Sequence, residues 1–190
     1  GKTTLVRLLS GYLSPTSGII YVNESIIKKS ERGYYKNFTG LVMQEDTLFE
    51  GTLLENLTFN NPKVSNEDVK WALNVVGLTV IVKRLPNGLD TIINSDGRQL
   101  TRSVIQKIMI ARAIITRPKV LFLEEPTISM DPKSARQIID FLVSPENDWT
   151  IIVSSVDEYW KKACNREIDM NNGEIIKDIN GDVIVVVPSR

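Results

Sequence analysis

Lys119-Val120-Leu121-Phe122-Leu123-Glu124-Glu125-Pro126-Thr127 decides how this chain reads. Val120 to Leu123 is apolar at every position and bounded by Pro118 and Pro126, the pattern of a strand buried on both faces rather than one that alternates between core and water. Two adjacent carboxylates end it. Open α/β sheets bind ligands beyond the carboxyl ends of their strands, so Glu124 and Glu125 stand where chemistry is done. The competing reading is that both simply end a strand in solvent.

Working outward, Thr150 to Val153 is a second buried strand, and Thr39 to Met43 a third that ends at Gln44. Ile19 to Val22 is a short β-branched strand after the turn Ser14-Pro15-Thr16-Ser17-Gly18. Helices intervene. Gly1 to Leu13 has Leu5, Leu8, Leu9 and Tyr12 on one face. Ser65 is a cap with Asp68 at the third helical position, for a helix through Leu73. Thr101 to Ile115 carries Ile105, Ile108, Met109 and Arg112 at helical spacing, and Asp131-Pro132 opens a helix through Leu142. Leu85-Pro86-Asn87-Gly88 is a turn. Ile168 to Ile176 is a hairpin around Asn172-Gly173, and Val183 to Val187 is an apolar run without an evident place. Strands alternating with helices give an α/β fold with a mainly parallel sheet, with a helical lobe of about residues 61–117 inserted into it.

Gly1-Lys2-Thr3-Thr4 is the end of the phosphate-loop pattern G-x-x-x-x-G-K-S/T. Its glycine lets backbone approach a phosphate, and the amides at the following helix N-terminus face the anion. Lys2 would reach the β- and γ-phosphates, and the Thr3 hydroxyl would ligate Mg²⁺. Alone these four residues are a weak match, open to chance. Beside Glu124, which could hold Mg²⁺, and Glu125, which could orient an attacking water, they form two halves of a phosphoryl-transfer site. The start at Gly1 without Met suggests a fragment or a processed product.

Composition narrows the classes. The chain has 190 residues, with Lys+Arg 23 and Asp+Glu 23 for a formal net charge of zero. That leaves no electrostatic footprint for nucleic acid. It has no histidine, which removes Ser-His-Asp chemistry and His-ligated zinc. One cysteine, Cys164, allows no internal disulfide and fits a reducing compartment. No apolar run approaches the roughly 18 residues of a membrane span. Trp71, Trp149 and Trp160 read as packing residues, Cys164 as an inert thiol, and Lys28-Lys29 and Lys161-Lys162 as solvated faces.

In this order the motifs resemble the nucleotide-binding domain of ABC transporters, exporter type, from Gly1 to about Ile176. Gly40 to Asn56 resembles the Q-loop region, Leu85 to Thr91 the exporter pattern L-P-x-G-x-D-T, Gln106 to Ile114 the helix after the signature, and Glu125 to Asp131 the end of Walker B with the D-loop. The resemblance implies a P-loop NTPase core plus inserted helical subdomain as one domain over 1–190. It also implies ATP and Mg²⁺ as cofactors and hydrolysis that powers export. The second nucleotide-binding domain would be a homo- or heterodimeric partner. Membrane-spanning domains would place the chain at the cytoplasmic face. Gly1, Lys2, Thr3 and Thr4 would bind nucleotide, and Thr3, Gln44 and Glu124 the metal. Glu125 and Gln44 would serve catalysis, and Thr101, Arg102 and Ser103 would face the partner's nucleotide.

The chain departs from that pattern in three places. Leu100-Thr101-Arg102-Ser103-Val104 stands where the family has L-S-G-G-Q, so two glycines become Arg102 and Ser103. Arg102 adds bulk, though its guanidinium could pair with phosphate. Glu124 replaces an Asp. Val156, or Ser155 with a one-residue slip, stands where the family has a histidine. These departures imply slow hydrolysis, or alternatively an impaired subunit that binds ATP beside an intact partner. A soluble ABC-type ATPase without membrane domains is a third reading, opposed by the exporter-like segments.

Overall fold

The computed structural model describes residues 1–22, 25–27, 31–94, 97–179 and 184–188. The Lys28-Lys29 pair lies outside them. In chain order the first elements are α1 (Lys2–Leu9), β1 (Tyr21–Val22), β2 (Ser25–Ile26), α2 (Arg32–Lys36), β3 (Thr39–Val42), β4 (Gly51–Thr52), α3 (Leu53–Thr58), α4 (Asn66–Val75) and α5 (Thr79–Arg84). There follow β5 (Ile92–Ile93), α6 (Arg102–Ile114), β6 (Val120–Glu124), α7 (Pro132–Leu142), β7 (Thr150–Ser154), α8 (Glu158–Ala163), β8 (Glu167–Asn171), β9 (Glu174–Ile179) and β10 (Ile184–Pro188). They divide between two compact units.

The first unit comprises Gly1–Met43, Pro118–Glu125 and Asp148–Arg190. Its six-stranded sheet has the order β3-β6-β7-β10-β8-β9, parallel throughout except for the β8–β9 pair. β6 lies between β3 and β7, with Phe122 opposite Leu41 on one side and Ile152 on the other. That explains its unbroken apolar run: Leu121, Phe122 and Leu123 are all buried. Val6 of α1 joins Met43, Phe122 and Ile152 in the core, with Leu9, Tyr35, Leu41 and Val120 packed against them. The β8–β9 hairpin turns at Asn172 and Gly173, whose φ of 49° and 86° suit the tight turn that Asn-Gly favours.

Two sequence expectations need correction here, and a third segment gains a place. α1 ends at Leu9, not Leu13, because Gly11 turns left-handed at φ 77° after the Ser10 cap and stops the helix. The strand expected from Ile19 starts at Tyr21 and pairs antiparallel with β2 in a separate two-stranded sheet. The apolar run at the chain's end enters the main sheet as β10, parallel to both β7 and β8.

The second unit comprises Gln44–Arg117 and Pro126–Asn147. It is helical except for the antiparallel pair β4–β5. Four of its helices start on a side-chain cap. Thr52 and Ser65 form reciprocal boxes with Glu55 and Asp68, Thr101 caps α6, and Asp131 caps α7 ahead of Pro132. α6 packs on α3 and α4 and buries Ile108, Ile110 and Ile114. Trp71 meets Phe141 edge to face at 6.2 Å, and the Arg117 guanidinium stacks 3.9 Å from the Trp71 ring centre.

Candidate functional site

In the first unit, β6 delivers Glu124 and Glu125 to the carboxyl end of the sheet, where they are only 6% and 7% exposed. α1 crosses β6 and β7 and anchors on them through Val6. Thr3 lies one turn earlier on the same face. Its hydroxyl donates a hydrogen bond to Glu124 Oε1 across 121 positions of sequence. Gly1 caps α1 without a side-chain bond, Lys2 is half-buried on its first turn, and Thr4 is exposed. A Cβ built at Gly1 would meet no protein atom within 4 Å, so the chain's own packing does not demand glycine there.

Glu125 is held differently. Its φ of 43° is left-handed, a region non-glycine residues enter at a cost and one that clusters at functional sites. Its N–H donates to the Ser154 carbonyl at 2.8 Å. Its carboxylate accepts from the Ser155 hydroxyl at 3.0 Å (Oε2) and from the Val156 N–H at 3.0 Å (Oε1) and 3.3 Å (Oε2). The Val156 side chain is 60% exposed. Of the two positions that could stand for the family histidine, Val156 reaches Glu125 through its backbone N–H and Ser155 through its side-chain hydroxyl.

The second unit holds the remaining sequence-selected residues. Gln44 is exposed in the loop after β3. With Asp46, Arg98, Arg102, Gln106 and Ser129 it lines a cavity of about 530 Å³. Thr101 accepts from the Val104 N–H at 3.4 Å and so caps α6 rather than forming its first turn. Arg102 is exposed on the first turn of α6, and Ser103 is half-buried behind it. The Ser129 N–H donates to Gln106 Oε1 at 2.9 Å, tying the 126–130 segment to α6.

Two groups escaped the sequence reading. Arg112 donates to the Asn56 carbonyl at 2.6 Å and to Asn56 Oδ1 at 3.1 Å, and lies 4.5 Å from the Phe59 ring centre. Burial pulls its guanidinium down to about 10, with Asp46 opposing that shift. Asn56 in turn holds the Phe49 N–H and carbonyl, at 3.1 and 2.9 Å. Ser155 is the other. Its signal was its position beside the missing histidine, but its partner depends on the left-handed Glu125 backbone.

The donor set suits a hard divalent ion. A hydroxyl and a carboxylate already share a hydrogen bond, and Mg²⁺ takes one or two protein oxygens and completes its shell with phosphate and water. Among the described residues no group of three acidic, cysteine or histidine side chains forms a protein-only metal cage.

A family model described as ABC transporter matches residues 1–128. The ATP-dependent permease MDL1 of Candida albicans is 31% identical over 182 residues, covering 94% of this chain and 27% of the permease. The alpha-hemolysin translocation ATP-binding protein HlyB of Escherichia coli O157:H7 is 30% identical over 178 residues, covering 94% of this chain and 25% of that protein. The structure of a bacterial Atm1-family ABC exporter with ATP bound superposes with a TM-score of 0.86 at 23% identity, over 94% of this chain and 31% of that one. At that identity the likeness is one of fold. The chain thus spans between a quarter and a third of the length of these relatives.

Proposed function

This chain belongs to the ABC transporter family, as a nucleotide-binding domain of exporter type, and we propose that it binds ATP and hydrolyses it to power export through membrane-spanning domains of the same assembly. Residues 1–190 would belong to one such domain, with about residues 61–117 as its helical subdomain. Among the described residues no helix is long and apolar enough to cross a membrane, so the spanning helices would lie elsewhere in the assembly, with this domain at its cytoplasmic face.

The observation that carries the reading is the Thr3–Glu124 hydrogen bond at the carboxyl end of β6, with Glu125 next in the chain. It joins the two motif halves that the sequence offered separately. Lys2 would neutralise the β- and γ-phosphates, and the backbone at Gly1 leaves them room. Thr3 and Glu124 would hold Mg²⁺, which would spread the charge that builds on the transferring phosphoryl group. Glu125 would accept a hydrogen bond from the attacking water and aim it in line with the γ-phosphorus. Thr101, Arg102 and Ser103 would face the nucleotide of a second domain.

The test is ATP turnover by the full-length protein and its Glu125→Gln variant. Retained ATP binding with turnover down by a factor on the order of a hundred or more supports the reading. Unchanged turnover removes Glu125 from the chemistry. A second reading, an impaired subunit beside an intact partner, draws on the absent histidine and on Arg102-Ser103. Under it, the unmutated protein binds ATP without turning it over and co-purifies with a different nucleotide-binding subunit.

A further inference from the structure

Ser155 has no role in the account above, yet it is 4% exposed and bonded to the residue that account depends on. We propose that Ser155 is the positioning residue for the Glu125 carboxylate. This rests on the reading of Glu125 as the group that aims the water.

Three consecutive residues grip Glu125. The Ser154 carbonyl takes its N–H, and the Ser155 hydroxyl and Val156 N–H donate to its carboxylate. The direction of the Ser155 proton is set by a fourth contact. The Asp157 N–H donates to Ser155 Oγ at 3.1 Å, which occupies a lone pair and leaves the hydroxyl proton for Glu125 Oε2 at 3.0 Å. The backbone of Glu125 sits at φ 43°, so the side chain leaves β6 at an angle that regular strand geometry does not fix. Its orientation is therefore imposed by β7 and the turn after it. Without the Ser155 hydroxyl, the carboxylate loses one of the donors that hold it, while the Val156 N–H contact remains, and its orientation is less closely fixed. Water would then be presented off line more often, while the phosphate-binding groups Lys2 and Thr3 stay as they are.

The experiment compares full-length protein with Ser155→Ala, Glu125→Gln and the double variant, reading single-turnover hydrolysis and ATP affinity separately. Expected is a fall in hydrolysis on the order of tenfold for Ser155→Ala, with ATP affinity unchanged. In the Glu125→Gln background, Ser155→Ala should lower hydrolysis no further, because the two act as one unit. Wild-type hydrolysis by Ser155→Ala overturns the proposal. So does a loss of ATP affinity in proportion to the rate, or an additive loss in the double variant. If Glu125→Gln itself hydrolyses normally, the assignment of Glu125 fails first, and the two failures are told apart by that single variant.

Discussion

Glu124 and Glu125 are neighbours of the same chemical type, and their surroundings divide them. Glu124, in regular strand geometry, receives the Thr3 hydroxyl, whereas Glu125, at φ 43°, receives donors from 155 and 156. Replacing Thr3 by Val keeps the shape and removes that hydroxyl. We expect ATP turnover to become dependent on much higher Mg²⁺ concentrations, which a Mg²⁺ titration of the variant checks. Cys164 offers a second test. Burial pushes its thiol up to about 12, so little reactive thiolate exists at neutral pH. Alkylation should be slow in the folded protein and should reach the rate of a free thiol in denaturant, followed by mass spectrometry. Lys2, Thr3, Glu124 and Glu125 can be singled out as candidates from the sequence because each sits in a local pattern, and the structure brings Thr3 and Glu124 together. The bond of Ser155 to Glu125 cannot be read there, because it depends on a backbone angle 30 positions away.

The helices expected after Ser65, from Thr101 and at Asp131-Pro132 start within a residue of those positions. Ser65 was readable as a cap because capping links residues three apart, here Ser65 and Asp68. α1 was read too long because its apolar spacing runs past Gly11, and a left-handed stop outweighs spacing. Thr52→Ala should destabilise the second unit by about 1 kcal/mol in urea unfolding, the usual worth of an N-cap. Hydrogen bonds from Thr52, Ser65 and Ser134 hold the carboxyls of Glu55, Asp68 and Asp131 below their ordinary range. A carboxyl lowered by folding stabilises the fold above its unfolded pKa and loses that contribution as pH falls through the folded value. The unfolding midpoint should therefore vary little from neutrality down to about pH 5 and fall as pH drops below about 4. With Asp131→Asn part of that acid sensitivity should disappear.

Across the whole molecule, the class of fold was legible and the sheet order was not. Alternating strands and helices imply parallel pairing, but the apolar run that becomes β10 carries nothing that specifies a slot between β7 and β8. Phe122 is the large side chain at the middle of β6, only 1% exposed. Phe122→Ala should cost about 3–5 kcal/mol. The measurement can be confined to the first unit. With Trp71 replaced by Phe, the remaining tryptophans, Trp149 and Trp160, both belong to that unit, and their fluorescence should report an earlier unfolding midpoint.

The buried fork of Arg112 on Asn56 is also a mechanical fastening. Asn56 grips Phe49 at the end of the loop that Gln44 opens, and Arg112 sits near the far end of the helix that Thr101 and Arg102 begin. Ten helical positions separate Arg112 from Arg102, about 15 Å of rigid rod. The Phe49–Asn56 stretch and α6 are thus pinned to each other at Arg112, one rigid-rod length from the first turn that Arg102 begins.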